Sequence, residues 1–357
     1  MSRADPVTWP ATGPACPAPR TDTERVLLGD GSGGKLCAAL VRERFLPHFG
    51  NPILGQLGDG ALLELGGGSL VVSTDTFVVR PLEFPGGDIG ALAIHGTVND
   101  VAMMGARPRY LAAGFVLEEG LEIALLDRIV ATMANAAREA GVLLVTADTK
   151  VVDRGNADGL YVNTTGIGEP IPGFAPAPAL ARPGDRILVS GPLGRHGMAI
   201  MAAREGLALQ TEIASDTANL WPLVERLHET AGADVHVLRD PTRGGLASAL
   251  NEIAAAARIG VQIDEGALAV PDDVRAACEL LGLDPLYVAN EGVLVAFLSP
   301  DAADRALAAV RDHPLGREAT LIGEAVPRHP GTVVMKTGLG GTRIVDLLPG
   351  DQLPRIC

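Results

Sequence analysis

The sequence predicts an α+β protein of two domains. Strand-like and helix-like segments mix in both halves without strict β–α–β alternation, which disfavours a doubly wound parallel sheet. A run of Pro, Ala and Gly without periodicity, PIPGFAPAPALARPGD, interrupts the chain near its middle and places a domain boundary near residues 170–182. The length, 357 residues, suits two domains better than one. The expected organisation is a Pro-rich disordered extension over 1–22, a domain over 23–175, a second α+β domain over 176–346, and a mobile tail over 347–357.

In the first half, ERVLL (24–28) reads as a short strand before a glycine-rich loop. LCAALVRERFLPHF then has helical spacing. GALLELGGGSLVVSTDTFVV places two apolar runs around Gly66, Gly67 and Gly68 and reads as a hairpin. DIGALAIHGTVNDVAMMG is a helix with Asp88 as N-cap and Gly105 near its stop. RYLAAGFVLEE is a strand, and LEIALLDRIVATMANAAREAG is a long amphipathic helix. VLLVTADTKVV and LYVNTTGIGE read as paired strands.

In the second half, DRILVSG opens with a strand. Helices follow around Met198–Glu205 and Leu220–Ala231, then a strand at VHVLRD, a helix at GGLASALNEIAAAARIG and a strand at LVAFLSP. TVVMKTG and TRIVDLL form a late hairpin. PGDQLPRIC has two prolines and no apolar period, which reads as a mobile tail.

Composition narrows the function classes. Apolar residues make up 47% of the chain and charged residues 20%, enough for a sizeable core. The net charge of −14 comes without any basic block, which argues against nucleic acid and against an anionic membrane surface. No apolar run is long enough to cross a bilayer, and the first 20 residues lack the apolar core of a secretory signal. The cysteines Cys16, Cys37, Cys278 and Cys357 form no CxxC pair, so neither a structural zinc site nor a disulfide framework is expected. They read as free thiols of a reducing cytoplasm.

A phosphate-bearing ligand would need local donors or a metal ion against this acidic field. Gly29-Asp30-Gly31-Ser32-Gly33-Gly34-Lys35 offers such donors. It matches G-x-G-x-x-G, yet Asn51 and Pro52 stand where a dinucleotide-binding acid belongs. It nearly matches a Walker A loop, yet Leu36 replaces the magnesium-binding hydroxyl. What remains is a backbone able to approach phosphate at Gly31, Ser32, Gly33 and Gly34, with Lys35 adding positive charge; the alternative is a plain glycine turn.

The aspartates form the stronger pattern. Asp59 lies in LGDGALL. Asp75, Asp148 and Asp240 end the apolar runs VVSTDTF, LLVTADTK and VHVLRDPTRGG, and Asp100 interrupts an apolar helix beside Asn99. Unpaired carboxylates in such settings are costly. Each alone could be a cap or a turn residue. Together they suggest convergence on a hard cation such as Mg²⁺. Lys150 and Arg243 follow Asp148 and Asp240 closely and suit charge balance at a phosphate, or surface ion pairs. Glu291, in Asn290-Glu291-Gly292, is a base or a turn residue. His95 reads as a structural helical histidine.

GDGSGGK, STDTFVV, NDVAMMGA, ADTKVV, DPTRGGL and NEG occur in that order. The ordered set resembles the superfamily of ATP-dependent enzymes that contains aminoimidazole ribonucleotide synthetase, selenophosphate synthetase and thiamine phosphate kinase, over roughly residues 24–345. The terminal Pro354-Arg355-Ile356-Cys357 resembles the ending of the HypE carbamoyl dehydratases of hydrogenase maturation. The resemblance implies a β-rich N-terminal domain that dimerises and binds ATP with magnesium, and a C-terminal α+β domain that closes over the nucleotide. Asp59, Asp75, Asp100 and Asp240 would hold magnesium and phosphates. Gly31 to Lys35, Asp148 and Arg243 would contact ATP, and Lys150 and Glu291 would act in catalysis. A HypF-type carbamoyltransferase would load Cys357, and a HypC–HypD complex would accept the cyanide. Arg195 departs from the pattern, in which an acid precedes His196. Two alternatives are a selenophosphate synthetase, with Ser32 and Cys37 near the position of its reactive residue, and a non-catalytic iron-site scaffold binding through Cys357.

Overall fold

The computed structural model describes residues 26, 34–205, 213–348, 353 and 355–357. The Pro-rich extension, the strand expected around residues 24–28 apart from Val26, and the glycine loop before Gly34 lie outside the described residues. Val26 itself is in no regular element.

The expected first helix begins as α1 (Gly34–Leu40), passes through a π-helical turn at Val41–Phe45 and ends as α2 (Leu46–Phe49). The hairpin follows as β1 (Ala61–Leu65) and β2 (Gly68–Phe77), antiparallel with Leu65 opposite Gly68. A two-residue bridge, β3 (Glu83–Phe84) with β4 (Gly87–Asp88), leads into α3 (Ile89–Met103). The Asp88 side chain caps α3 by accepting from Gly90 N at 2.8 Å and Ala91 N at 2.9 Å, the exchange that satisfies otherwise orphaned helix donors. Strand β5 (Ala106–Glu118), α4 (Ile123–Ala140), β6 (Leu143–Val152) and β7 (Leu160–Pro170) complete this half.

The sheet order is β1-β2-β7-β5-β6. The two strands expected to pair with each other do not. β6 lies parallel to β5, and β7 inserts antiparallel between β2 and β5. The reason is α4: an 18-residue helix between β5 and β6 forms a crossover, which returns the chain parallel. Alternation along β2 then matters. Val71, Ser73 and Phe77 are buried on one face, so period two turns Asp75 to that same face, under α3.

The second half holds β8 (Arg186–Val189), α5 (Arg195–Glu205), α6 (Trp221–Ala231), β9 (Val235–Arg239), α7 (Gly245–Ala257), β10 (Gly260–Asp264), α8 (Asp272–Leu281), β11 (Val295–Leu298), α9 (Pro300–Arg311), β12 (Thr320–Val326), β13 (Val333–Lys336) and β14 (Thr342–Val345). Its sheet runs β14-β13-β10-β12-β8-β11-β9. Side-chain alternation divides two cores. Ile187, Val189, Val237, Val295 and Phe297 pack with α7, while Leu188, Leu238, Ala296 and Leu298 pack with α6 and α9. Buried on both faces, β11 reads as a continuous apolar run. The late hairpin forms as expected, Val333 opposite Val345. Helices α5 and α8 instead share a core with α3 and the first sheet. No described helix is long and apolar enough to cross a membrane.

The tail does not project freely. Leu353 and Ile356 are buried in the core shared by α3 and α5, with Cys357 packed against it. Two apolar side chains without periodicity give no signal of burial in the sequence.

Candidate active site around a buried carboxylate cluster and the docked C-terminal cysteine

Three of the four expected metal ligands converge. Asp59, before β1, Asp100, on α3, and Asp240, at the end of β9, present carboxylate oxygens within 4.8 Å of one another. Each is placed by different local chemistry. α3 is buried nearly all round, and Asp100, half-buried on it, accepts from the Ser73 hydroxyl at 2.8 Å. Asp59 pairs with Arg239, which also holds Glu252 at 2.7 Å. Asp240 keeps a buried Oδ2 with no hydrogen-bond partner. Behind it, residues 241–245 make a tight turn in which Gly244 and Gly245 take left-handed φ values of 75° and 61°, a conformation that favours glycine.

The electrostatics suit a bound cation. Burial raises all four acids above the ordinary carboxylate range. For Asp100 the charges of Asp240, Asp75 and Asp59 add to burial. Burial, with Asp59 next, lifts Asp240 to about 7. For Asp59 and Asp75, burial is opposed by Arg239 and Arg243 respectively. Oxygen donors that cannot all stay ionised alone, one of them unpartnered, fit a hard divalent ion.

Glu291 borders this cluster. Its carbonyl accepts from Asn99 Nδ2 at 3.3 Å and Ala218 N at 3.3 Å, which ties it to α3. Its N–H donates to Asp216 Oδ1 at 3.1 Å. Oε1 is buried without a partner, and burial, then Asp240, Asp75 and Asp216, holds its carboxyl well above the usual range. Gly292 allows the turn: a Cβ there would lie 1.7 Å from the Asp216 carbonyl oxygen. Asn290 fastens the turn to Pro241, donating to its carbonyl at 3.0 Å.

Cys357 enters the same region. Its carbonyl accepts from Val78 N at 3.2 Å, and Arg355's carbonyl accepts from Arg80 N at 3.2 Å. That i, i+2 spacing is the mark of strand-like pairing. Arg355 itself has a left-handed φ of 60°, turning the last two residues inward, and pairs with Asp158. Charge on Cys357, which as the last residue bears the terminal carboxylate as well as the thiol, is the foremost influence holding Arg243 protonated, ahead of Asp75, Cys37 and Glu291 and against burial. The terminal residue, the Arg243 guanidinium and the acids therefore share one region.

The remaining expected residues lie elsewhere. Asp148 and Lys150 sit on the exposed edge strand β6, paired with each other at 2.6 Å. Register runs Asp75, Thr164, Ala113, Ala147 across the sheet, so Asp148 stands about three strand spacings, roughly 14 Å, from Asp75. Lys35 pairs with Asp346 at 2.8 Å, and its N–H donates to Leu348 O at 3.1 Å. Gly34 adjoins this same segment, while Gly31, Ser32 and Gly33 lie outside the described residues. Asp346 therefore provides a structural partner for Lys35 that the loop pattern does not reveal. His95 is structural in its contacts: its Nδ1 lies 3.2 Å from the Thr217 hydroxyl.

Three participants were not singled out by sequence. Arg239 precedes Asp240, and its place in LRD was the available signal. Ser73 opens the STDTFVV motif, where only Asp75 was singled out, and Asp216, lifted by burial to about 6, lies in no motif.

Family comparisons agree with the two-domain fold. The family model described as AIR synthase related protein, N-terminal domain, matches residues 57–169, and its C-terminal domain model matches 182–336. A carbamoyl dehydratase HypE of Cupriavidus necator is 54% identical over 334 residues, covering 93% of this chain and 95% of the relative. One of Bradyrhizobium diazoefficiens is 53% identical over 330 residues, covering 92% and 95%. Among solved structures, the hydrogenase maturation protein HypE in complex with ATP superposes with a TM-score of 0.79 at 52% identity, covering 93% of this chain and all of that one. A HypE–HypF complex gives 0.83 at 45% identity, covering 87% of this chain and 100% of that one. With both domain models matched in order and half the residues shared over nearly the whole length, the chain belongs to the carbamoyl dehydratase HypE family of hydrogenase maturation proteins.

Proposed function

We propose that the chain, as an ATP-dependent carbamoyl dehydratase, carries its substrate on Cys357 and dehydrates it in the site formed by the aspartate cluster, Arg243 and Glu291. The observation that carries this reading is the position of the terminal residue, packed against the core beside Arg243 and its acids rather than left in solvent. A non-catalytic scaffold has no need of that placement. A selenophosphate synthetase reading gains nothing from it either.

The chemistry follows. A HypF-type carbamoyltransferase loads the thiol as an S-carbamoyl thioester. An amide oxygen is a poor leaving group, so the carbamoyl oxygen attacks the γ-phosphorus of ATP and ADP departs. One N–H proton is lost as the C=N bond forms. The C–O bond then breaks, phosphate leaves with the oxygen, and loss of the second proton gives the thiocyanate, S–C≡N. The cyano group would pass to iron held by a HypC–HypD complex. Asp59, Asp75, Asp100 and Asp240 would hold magnesium, which neutralises charge on the phosphates. Arg243 adds a fixed positive charge beside the thiol. Glu291, with a buried carboxyl oxygen left unpartnered and its basicity raised by burial and the neighbouring acids, would take the proton from nitrogen.

Lys150 and Asp148 enter this reading through a dimer. Their strand is a sheet edge bearing exposed Leu143, Leu144, Val145 and Val151, a template for pairing that isolated proteins avoid. A homodimer through β6 would cover this apolar edge and bring Lys150 of one copy toward the phosphates held by the other.

A label tests the central step. Load Cys357 with carbamoyl bearing heavy oxygen, add ATP and analyse the phosphate released. Label in phosphate is expected. Label appearing only in water would reject phosphorylation of the carbamoyl oxygen.

A further inference from the structure

The geometry points to His196 and Ser215 as positioning residues that hold the terminal cysteine in register for the reaction. The inference rests on the reading that Cys357 brings its substrate to this site.

His196 opens α5 and is fully buried. Its Nε2 lies 2.6 Å from the carbonyl oxygen of Ile356, and its Nδ1 lies 2.8 Å from the Ser215 hydroxyl. The surrounding bonds fix which nitrogen carries the proton. A carbonyl only accepts, so Nε2 must donate to Ile356. Nδ1 must then accept in the neutral ring, so the Ser215 hydroxyl donates to it. Ser215 Oγ in turn accepts from Thr217 N at 3.1 Å, which leaves its hydrogen free for the imidazole. The direction is therefore unbroken: Thr217 N–H to Ser215, Ser215 O–H to His196, His196 N–H to the tail. Burial pushes the imidazole down to about 4, so this neutral tautomer persists at ordinary pH. Phe84 packs edge-on to the ring, centroids 5.6 Å apart at 90°, and limits its rotation.

The bond falls between the two others that the tail makes. Val78 N and Arg80 N bind the carbonyls of Cys357 and Arg355. His196, from α5, binds the carbonyl between them. Arg204 adds a bond to the Arg355 carbonyl at 2.6 Å. Three successive carbonyls are thus read from two sides, with the Ile356 side chain buried as an apolar anchor. Backbone reading fixes distance along the chain, so it fixes where the thiol stops relative to Arg243. None of these groups touches the reacting atoms, and the expected consequence of losing His196 is misplacement.

Two readouts separate positioning from chemistry: the alkylation rate of unloaded Cys357 by a small maleimide, and the single-turnover rate of dehydration on the loaded full-length protein with ATP. His196→Ala should speed alkylation about tenfold and slow dehydration by a similar factor, with ATP affinity unchanged. His196→Gln, whose amide can donate from nearly the same place, should restore much of both. Ser215→Ala should give an intermediate effect, and it serves as the decisive variant if His196→Ala melts far below the parent. Wild-type alkylation rates in both His196→Ala and Ser215→Ala, or equal impairment by Ala and Gln at 196 in proteins of normal melting temperature, would overturn the assignment. If the variants shift alkylation as expected while even the parent never loses water, the positioning role stands and the dehydration reading falls.

Discussion

Replacing Asp240 with Asn should stabilise the ligand-free protein and remove its response to magnesium and ATP together. Burial and the neighbouring Asp59 charge lift the Asp240 carboxyl from 3.8 to about 7. The folded chain thus keeps its proton to higher pH than the unfolded chain does. The stability this proton contributes is complete below about pH 4 and is lost as pH rises through about 7. Near pH 7.5 nearly all of it is gone. The gap of about three units corresponds to roughly 4 kcal/mol at ~1.4 kcal/mol per unit. Asn has the same shape, never ionises, and can donate to Asp59 or Asp100. Local relaxation in the parent would reduce the gain to about 2 kcal/mol, a rise of several degrees in Tm for domains of this size. The assay is thermal unfolding of the full chain, alone and with magnesium and ATP. The parent should gain stability from the ligands by mass action; Asp240→Asn should start higher and gain little. A variant that melts below the parent without ligands, or that gains as much as the parent with them, would refute the reasoning.

Other predictions follow from the same geometry. Cys357→Ala should abolish tail modification and leave ATP binding within about twofold, measured by mass spectrometry and calorimetry. Lys150→Met, at a surface position whose loss the fold tolerates, should slow dehydration about a hundredfold, the scale of a lost charge or proton donor at a reacting group; an unchanged single-turnover rate would place Lys150 outside the reaction. Val145→Asp on the exposed edge should convert a dimer to a monomer in sedimentation, because a charge on an open strand edge opposes pairing. Two buried histidines oppose the acids as pH falls. His95 and His196 are both held near 4 by burial, below their unfolded value of 6.5, so the unfolded chain binds more protons in between. Their contribution should be full above about pH 6.5 and fall as pH drops toward 4, by at most about 3 kcal/mol for each, offsetting the gain from the raised acids over the same window. Replacing His95 with Gln should flatten part of this slope.

The strong periodic elements were legible in the sequence because their cause is local. Asp88 capped α3 as read, the hairpin around Gly66–Gly68 formed, and β13 and β14 paired. The neighbour of β6 was misread because adjacency in sequence favours a hairpin, whereas α4 carries the chain across and β7 takes the inner position. The site divides the same way. Asp59, Asp100 and Asp240 betrayed themselves as carboxylates set in apolar runs, where burial without a purpose is costly. Arg239 and Ser73 stood inside those same stretches and Asp216 in none, and their roles went unread because an ion pair or hydrogen bond between residues far apart in sequence leaves no local sign of its partner. The tail was hardest to read: Leu353 and Ile356 are two apolar residues among prolines, and backbone carbonyls held by Val78, Arg80 and His196 have no side-chain signature.

The account stands most directly on what happens to Cys357. Full-length protein carbamoylated at that residue is mixed with magnesium and ATP, and the C-terminal peptide is followed by mass spectrometry. The account predicts loss of one water from the adduct, dependent on ATP and matched by one phosphate released. A carbamoyl group that persists unchanged while ATP is hydrolysed, or that is simply shed as the free thiol returns, would contradict it.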